Sequence, residues 1–247
     1  MTDTTQDATH DIAAIITQAA ATMHAPASLE DTLEAIVRCT LDTVPGFDHV
    51  GISVTHSNGE IETLAGTDQL VWDLDTIQYT LREGPCYDAI RDGDINRVPH
   101  AAQETRWPRY MPEALKRGLK AQLAVGLYRD DKSLGGLNLY STRSETISDD
   151  AVNIAQLFAV HAALALGRSR TEHQLNDAIA TRKEIGQALG ILMERYKIPE
   201  DRAFQFLVRA SSTSNLKLRE VARKFVDTLN SQYAHLGDRD GMVDPSA

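Results

Sequence analysis

Cysteine is scarce in this chain: Cys39 and Cys86 are the only two in 247 residues, and they lie far apart. That excludes a disulfide framework, and no Cys/His spacing matches a zinc site. The expected compartment is a reducing cytoplasm. No run of roughly 18 apolar residues occurs, so no membrane span is expected. The opening stretch, MTDTTQDATHD, is polar and acidic and lacks the basic start of a secretory signal. Catalytic and nucleotide motifs are missing as well. There is no G-x-x-x-x-G-K-[ST], no G-x-G-x-x-G and no G-x-S-x-G, and no phosphoacceptor pocket of the receiver type. The chain therefore reads as non-enzymatic, with no metal or nucleotide cofactor motif, and its input is expected as a ligand, a redox change or a partner.

What is present is a chain long enough for two domains, 42% hydrophobic, with a net charge of −10. The charge is unevenly spread. Residues 1–180 carry 14 Lys+Arg against 26 Asp+Glu, whereas residues 181–230 carry 10 against 6 and residues 231–247 carry 1 against 3. A basic segment joined to an acidic body points to separate partners for the two parts. The plainer alternative is a solvated helical face.

Periodicity predicts helices over 12–24 and from Ser28, an N-cap, towards the VPGF stretch. HVGISVTHSNGEIETLAG then reads as two strands meeting at Asn58-Gly59, a dipeptide suited to a tight hairpin with both central residues at positive φ. Mixed loops follow, then a strand over 95–99, a helix over 107–118 closed by Gly118, and a second hairpin around RDDKS. Grouped helices with hairpin-linked strands argue for an α+β fold on an antiparallel sheet. After Ser148 no proline occurs before Pro199, so a single helix of almost 50 residues is possible, with Ile154, Leu157, His161, Leu164, Leu175, Ile179 and Ile185 spread along it and a break possible at Gly167. The polar stretch 169–180 reads as a linker helix or a two-stranded coiled coil.

Three short amphipathic helices close the basic segment. Ile185, Leu189, Leu192 and Tyr196 form the first stripe, Ala203, Leu207 and Ala210 the second, and Leu218, Val221, Ala222, Phe225, Val226 and Leu229 the third. SSTSN reads as the turn before the last helix. Within the first stripe, Gly186 and Gly190 each cost about 0.5–1 kcal/mol relative to alanine. Either something comes very close to that face or the stretch is not a helix.

The run IGQALGILMERYKIPEDRAFQFLVRASSTSNLKLREVARKFV resembles the ANTAR domain, the RNA-binding module of bacterial transcription antiterminators. The features Q-A-x-G-I-L-M-E-R, Ala203-Phe204, L-V-R-A-S and N-x-K-L-x-x-V-A carry the resemblance. Upstream, REGPCYDAI, RVPHAA, RWPRY and LGGLNLYS resemble a GAF sensory domain of the actinobacterial kind. The resemblance implies an N-terminal GAF-like antiparallel sheet with flanking helices, a long connecting helix and a C-terminal three-helix ANTAR bundle. The expected divisions are a disordered tail at 1–10, the GAF-like domain at 11–168, a helical linker at 169–180, the ANTAR domain at 181–234 and a second disordered tail at 235–247.

By that resemblance the chain is a homodimeric cytoplasmic regulator. Its partner is RNA carrying two stem-loops with six-base loops, whose capture prevents a terminator hairpin. The family motif places RNA contacts at Lys183, Gln187, Gly190, Arg195, Arg209, Ser212, Asn215 and Lys217. Leu189 stands where the family commonly has a basic residue, which removes one cation. Ser212 and Asn215 also suit helix capping, and Met193, Phe204 and Phe225 suit the core. The GAF resemblance implies a sensory pocket for an unidentified small molecule, walled by Trp72, Tyr79, Cys86, Tyr87, His100 and Trp107 in loops. Cys86 neighbours Tyr87, where bilin-attachment sites carry histidine, and reads best as a buried structural cysteine. The alternative reading is a dimeric sensory adaptor, or a DNA-binding regulator, without RNA binding.

Overall fold

The computed structural model describes residues 28–129 and 132–240, with the backbone only for 173 and 232–240. The helix expected over 12–24, the first ten residues and residues 241–247 lie outside the described residues. The chain forms two compact units, residues 1–170 and 171–247.

In the first unit, α1 (Leu29–Thr43) opens on a capping box: the Ser28 hydroxyl accepts from the Asp31 N–H at 3.1 Å, and the Asp31 carboxylate accepts from the Ser28 N–H at 3.1 Å. The helix buries Leu33, Ile36, Val37 and Thr40. Strands β1 (His49–Thr55) and β2 (Ile61–Gly66) follow. Their turn differs from the tight two-residue form expected at Asn58-Gly59. Gly59 alone has positive φ, at 84°. The Gly59 N–H bonds the His56 carbonyl at 3.0 Å and the His56 N–H bonds the Glu60 carbonyl at 2.8 Å. One glycine in the left-handed region suffices because a three-residue loop ends in a bulge rather than a primed turn.

Between β2 and β3 (Ile95–Val98) the structure holds two helices: α2 (Gln69–Leu81), where loops were expected, capped by the Asp68 carboxylate on the Leu70 N–H, and α3 (Pro85–Asp92), over the stretch CYDAIRDG that reads as a short helix in the sequence, with Pro85 at its first position. The stripe of α2 escaped notice because Asp75 and Gln78 occupy buried positions that hydrophobic periodicity reads as solvent-facing. A short α4 (Tyr110–Lys116), β4 (Ala121–Arg129) and β5 (Lys132–Ser141) complete the sheet. Its order is β2-β1-β5-β4-β3, antiparallel throughout.

The two faces of this sheet differ. Val50, Ile52, Val54, Leu123, Val125, Leu127, Leu137 and Leu139 pack with α1 and the start of the next helix into an aliphatic core. The intervening residues Ser53, Gln122, Asn138 and Tyr140 are buried too, on the opposite side, towards α2, α3 and α4.

Helix α5 runs unbroken from Asp149 to Tyr196, 48 residues that pass straight through Gly167. The Ser148 hydroxyl accepts from the Ala151 N–H at 3.1 Å, and Arg97 ties Asp149 at 2.7 Å. The face buried in the first unit is Ala151, Ile154, Ala155, Phe158, Ala159, Ala162, Ala163 and Leu166. Leu157 and Leu164 are 43% and 63% exposed while Ile154 is buried, so α5 has apolar residues on two faces. Contrary to the expectation of no such segment, α5 is long and apolar enough over one 18-residue window to cross a membrane by length and composition alone, and part of that window is buried in the first unit.

In the second unit the end of α5 packs with α6 (Glu200–Ser214) and α7 (Leu218–Asp240) around Ala188, Leu192, Ala203, Leu207 and Ala222. SSTS belongs to α6 rather than to a turn. The Thr213 and Ser214 hydroxyls donate to the carbonyls of Arg209 and Ala210, which satisfies acceptors at the helix end. Asn215, at φ 54°, is the C-cap.

Candidate functional site

Helix α2 lays Asp75, Gln78 and Tyr79 against the polar side of the sheet, and these three organise a buried hydrogen-bonded cluster. Asp75 is 1% exposed. One carboxylate oxygen accepts from Thr63 at 2.7 Å and from Ser53 at 3.2 Å; the other accepts from the Asn138 amide at 3.0 Å and from the Tyr140 hydroxyl. Tyr79 donates to Ser53 at 2.6 Å and lies 3.1 Å from the Cys86 sulfur. Gln78 accepts the Cys86 N–H at 2.9 Å and donates to Tyr140 at 3.1 Å. Tyr110 and Gln122 extend the cluster at 2.8 Å. The Asn138 carbonyl oxygen is buried and accepts no hydrogen bond from a described residue.

Among the described residues the hydrogen-bond partners of Asp75 are all uncharged. Burial pushes its carboxyl up to about 6, against the pull of four hydrogen-bond donors. Cys86 and Tyr79 are raised well above their ordinary ranges, first by burial and then by the Asp75 charge. A thiol that is fully buried and held neutral is a poor nucleophile and is unsuited to covalent attachment of a chromophore.

The structure brings two of the six expected pocket residues, Tyr79 and Cys86, into this cluster. Trp107, 3% exposed, donates its indole N–H to Asp88 at 2.7 Å in the adjoining core, where Trp72 also packs. Tyr87 is half-buried beneath the Arg91 guanidinium, which lies 5.8 Å from the ring centroid. His100 is exposed and lies 3.7 Å from Glu145. Trp72 and Tyr79 stand on a helix, not in loops. Sequence reasoning missed Asp75, Gln78, Asn138 and Tyr140. The available signal was a strand pattern in which Gly136, Asn138 and Tyr140 alternate with Leu137 and Leu139 inside a fully buried run.

In the second unit, Lys183, Gln187 and Gly190 recur at i, i+4 and i+7 on α5, opposite the buried Ala188 and Leu192. A Cβ placed on Gly186 or Gly190 would meet nothing within 4 Å. Packing inside the bundle therefore does not account for these glycines. Arg195 lies on a flank of α5. Arg209 and Ser212 are exposed on α6, Asn215 caps it, and the Lys217 carbonyl starts α7 by accepting from the Glu220 N–H. The eight expected contacts thus divide between the far face of α5 and the α6–α7 side. Phe204, expected in the core, is 43% exposed. Arg182, Lys183, Arg195, Arg202, Arg209, Lys217, Arg219, Arg223 and Lys224 form no ion pair with a described carboxylate; the ion pair of this unit joins Lys197 to Glu194. Among the described residues no group of three or more His, Cys, Asp or Glu is placed to hold a metal ion.

The architecture of the first unit is that of a GAF sensory domain, and solved structures of low identity share it. The GAF domain of an Acinetobacter phosphoenolpyruvate-protein phosphotransferase superposes with a TM-score of 0.53 at 13% identity, covering 66% of this chain and 97% of that one. Its counterpart from Coxiella burnetii gives 0.54 at 16%, covering 66% and 96%. The phycoerythrobilin-bound GAF domain of a cyanobacterial phytochrome gives 0.53 at 16%, covering 66% and 97%. A comparison with proteins of curated function finds no match. Family models place a GAF domain at residues 26–167 and an ANTAR domain at residues 173–226. The chain belongs to the GAF–ANTAR regulators, signal-sensing proteins that join a GAF domain to an ANTAR domain.

Proposed function

We propose that the second unit binds paired six-base-loop hairpins in nascent transcripts, and that the chain acts as a homodimer whose GAF unit responds to a small-molecule or protein signal. The observation that carries the RNA reading is the coincidence of the ANTAR match with cations that no described carboxylate neutralises. Phosphates supply the missing counter-charge, and unpaired loop bases offer edges to Gln187 and Ser212. Gly186 and Gly190 leave a strip on α5 without side chains, over which a sugar-phosphate backbone can approach closely. The dimer rests on a second feature. Leu157, Val160, Leu164, Leu175 and Ile179 recur at helical spacing along α5 and are 43–63% exposed. Pairing of two such helices buries this stripe and gives two RNA-binding units for two stem-loops. Lys183, Gln187, Gly190, Arg195, Arg209, Ser212, Asn215 and Lys217 are the proposed contacts.

The test is titration of the full chain with a synthetic RNA carrying two six-base-loop hairpins, against duplex DNA of equal length, at rising salt. With four single-strand phosphate contacts, affinity should fall about 50-fold between 50 and 200 mM salt. Hairpin binding no better than duplex binding would favour a DNA-binding regulator, and binding of neither would favour a sensory adaptor. Light scattering reports the subunit count, and a monomer would remove the paired-hairpin reading.

A further inference from the structure

Two aromatic rings of the second unit stand side by side in solvent. Tyr196, the last residue of α5, is 55% exposed, and Phe206, in the second turn of α6, is 52% exposed. Their ring centroids lie 6.3 Å apart with the planes inclined at 31°. Neither ring belongs to the bundle core formed by Ala188, Leu192, Ala203, Leu207 and Ala222. On the face of α6 that carries Phe206 the charged residues are arginines, while on α5 the nearby Glu194 is paired with Lys197. Arg202, Phe206 and Arg209 recur at i, i+4 and i+7, so the arginines bracket Phe206 on one face of α6. Neither arginine is paired with a described carboxylate. The acidic residues of this helix, Glu200 and Asp201, sit in its first turn at positions rotated away from that face, where they suit the helix dipole.

We propose that Tyr196 and Phe206 form a stacking platform for an unpaired base of an RNA loop, with Arg202 and Arg209 meeting the phosphates on either side. The proposal rests on the RNA-binding reading above and adds Tyr196, Arg202 and Phe206 to its contacts. Every base presents a π-face, so exposed aromatic rings bracketed by cations suit single-stranded nucleic acid. The same charges oppose the other occupant of an exposed apolar patch, a second copy of this chain. A twofold pairing through this face would set Arg202 and Arg209 of one copy against those of the other with no acid between them.

The experiment titrates the full chain with a labelled RNA hairpin carrying a six-base loop, and with the same stem as a blunt duplex. Phe206→Leu keeps an apolar side chain and removes the ring. It should weaken hairpin binding by about 5- to 150-fold, the loss of one stacked base. The slope of affinity on salt should stay unchanged, because no phosphate contact is lost. Phe206→Tyr should bind like the parent chain, which separates loss of stacking from damage to the bundle. Arg202→Gln should instead lower the salt slope by about 0.7, one single-strand phosphate. Equal hairpin affinity for Phe206→Leu and the parent chain would overturn the platform while leaving RNA binding intact. A weakened Phe206→Leu that also changes from dimer to monomer would assign the patch to a second copy and overturn it as well. A parent chain that binds no hairpin removes the RNA reading itself.

Discussion

Along β4, Leu123, Val125 and Leu127 point to one side of the sheet, and Gln122, Ala124 and Gly126 to the other. The same division recurs on β5, where Leu137 and Leu139 alternate with Gly136, Asn138 and Tyr140. Both faces are buried, yet they are built for different purposes. The aliphatic face, covered by α1 and α5, gains its stability from area removed from water. The other face encloses a carboxylate, the buried amides of Gln78, Gln122 and Asn138, the buried hydroxyls of Ser53, Tyr110 and Tyr140, and a thiol, groups that stabilise little and cost much when unpaired. A fold needs the first face. The second makes sense in a domain that responds to something.

The sharpest way to break the comparison is to damage the aliphatic face. Leu137 is fully buried among side chains from α1, β1, β4 and α5. Leu137→Ala should cost about 2–5 kcal/mol, the transfer term plus the cavity left behind. Urea unfolding followed by circular dichroism, reading the transition of the first unit, measures it. A loss under about 1 kcal/mol would mean that this face collapses around the gap and is not the main source of stability.

The next effect belongs to the polar face and has a sign. Asp75 titrates at about 6 in the folded chain, above its ordinary value near 3.8, because burial disfavours its charge. The folded state therefore holds the proton more tightly than the unfolded state. Its contribution to stability is fully present below pH 4, is lost as pH rises through about 6, and is level beyond that. A shift of this size corresponds to about 3 kcal/mol. In Asp75→Asn the amide can accept from Tyr140 and donate to the Ser53 and Thr63 hydroxyls, so the cluster keeps its partners. The difference in unfolding free energy between the variant and the parent should move in the variant's favour between pH 4 and 7, then stay constant. A difference flat across pH 4–8 would show that Asp75 is ionised at both ends of that range.

These two faces were not equally legible. The strands, the hairpins, α1, the length of α5 and the three stripes of the second unit follow from spacing and caps, because apolar periodicity and burial agree there. They disagree in α2, where Asp75 and Gln78 sit inside the stripe and make a buried helix read as a loop. The site suffered from the same cause. Cys86 and Tyr79 stand out by residue type, but nothing local marks Asp75 or Asn138 as buried, since their burial comes from helix α2 packing on β5, elements more than sixty positions apart in the chain. Of the residues that the family resemblance implied, His100 is exposed and Tyr87 is half-buried under Arg91, outside the cluster.

The smallest effect concerns glycine and sharpens the contrast between the two units. Gly135 lies at φ 154°, and a Cβ there would stand 1.9 Å from the Ser53 carbonyl oxygen, so strand pairing itself demands glycine. Gly186 and Gly190 are under no such demand, because a Cβ at either meets nothing. In an exposed helix interior, Gly190→Ala should raise the stability of the second unit by about 1 kcal/mol, through helix propensity and a less disordered unfolded state. A fold-only account stops there and expects hairpin binding to be unchanged or slightly better. If the backbone strip on α5 is where RNA comes close, the same substitution must instead weaken binding while the thermal midpoint rises. Opposite movement of the two readouts in one variant would separate what this glycine does for the helix from what it does for a ligand. Parallel movement would move the RNA contact off α5 and onto the α6–α7 side.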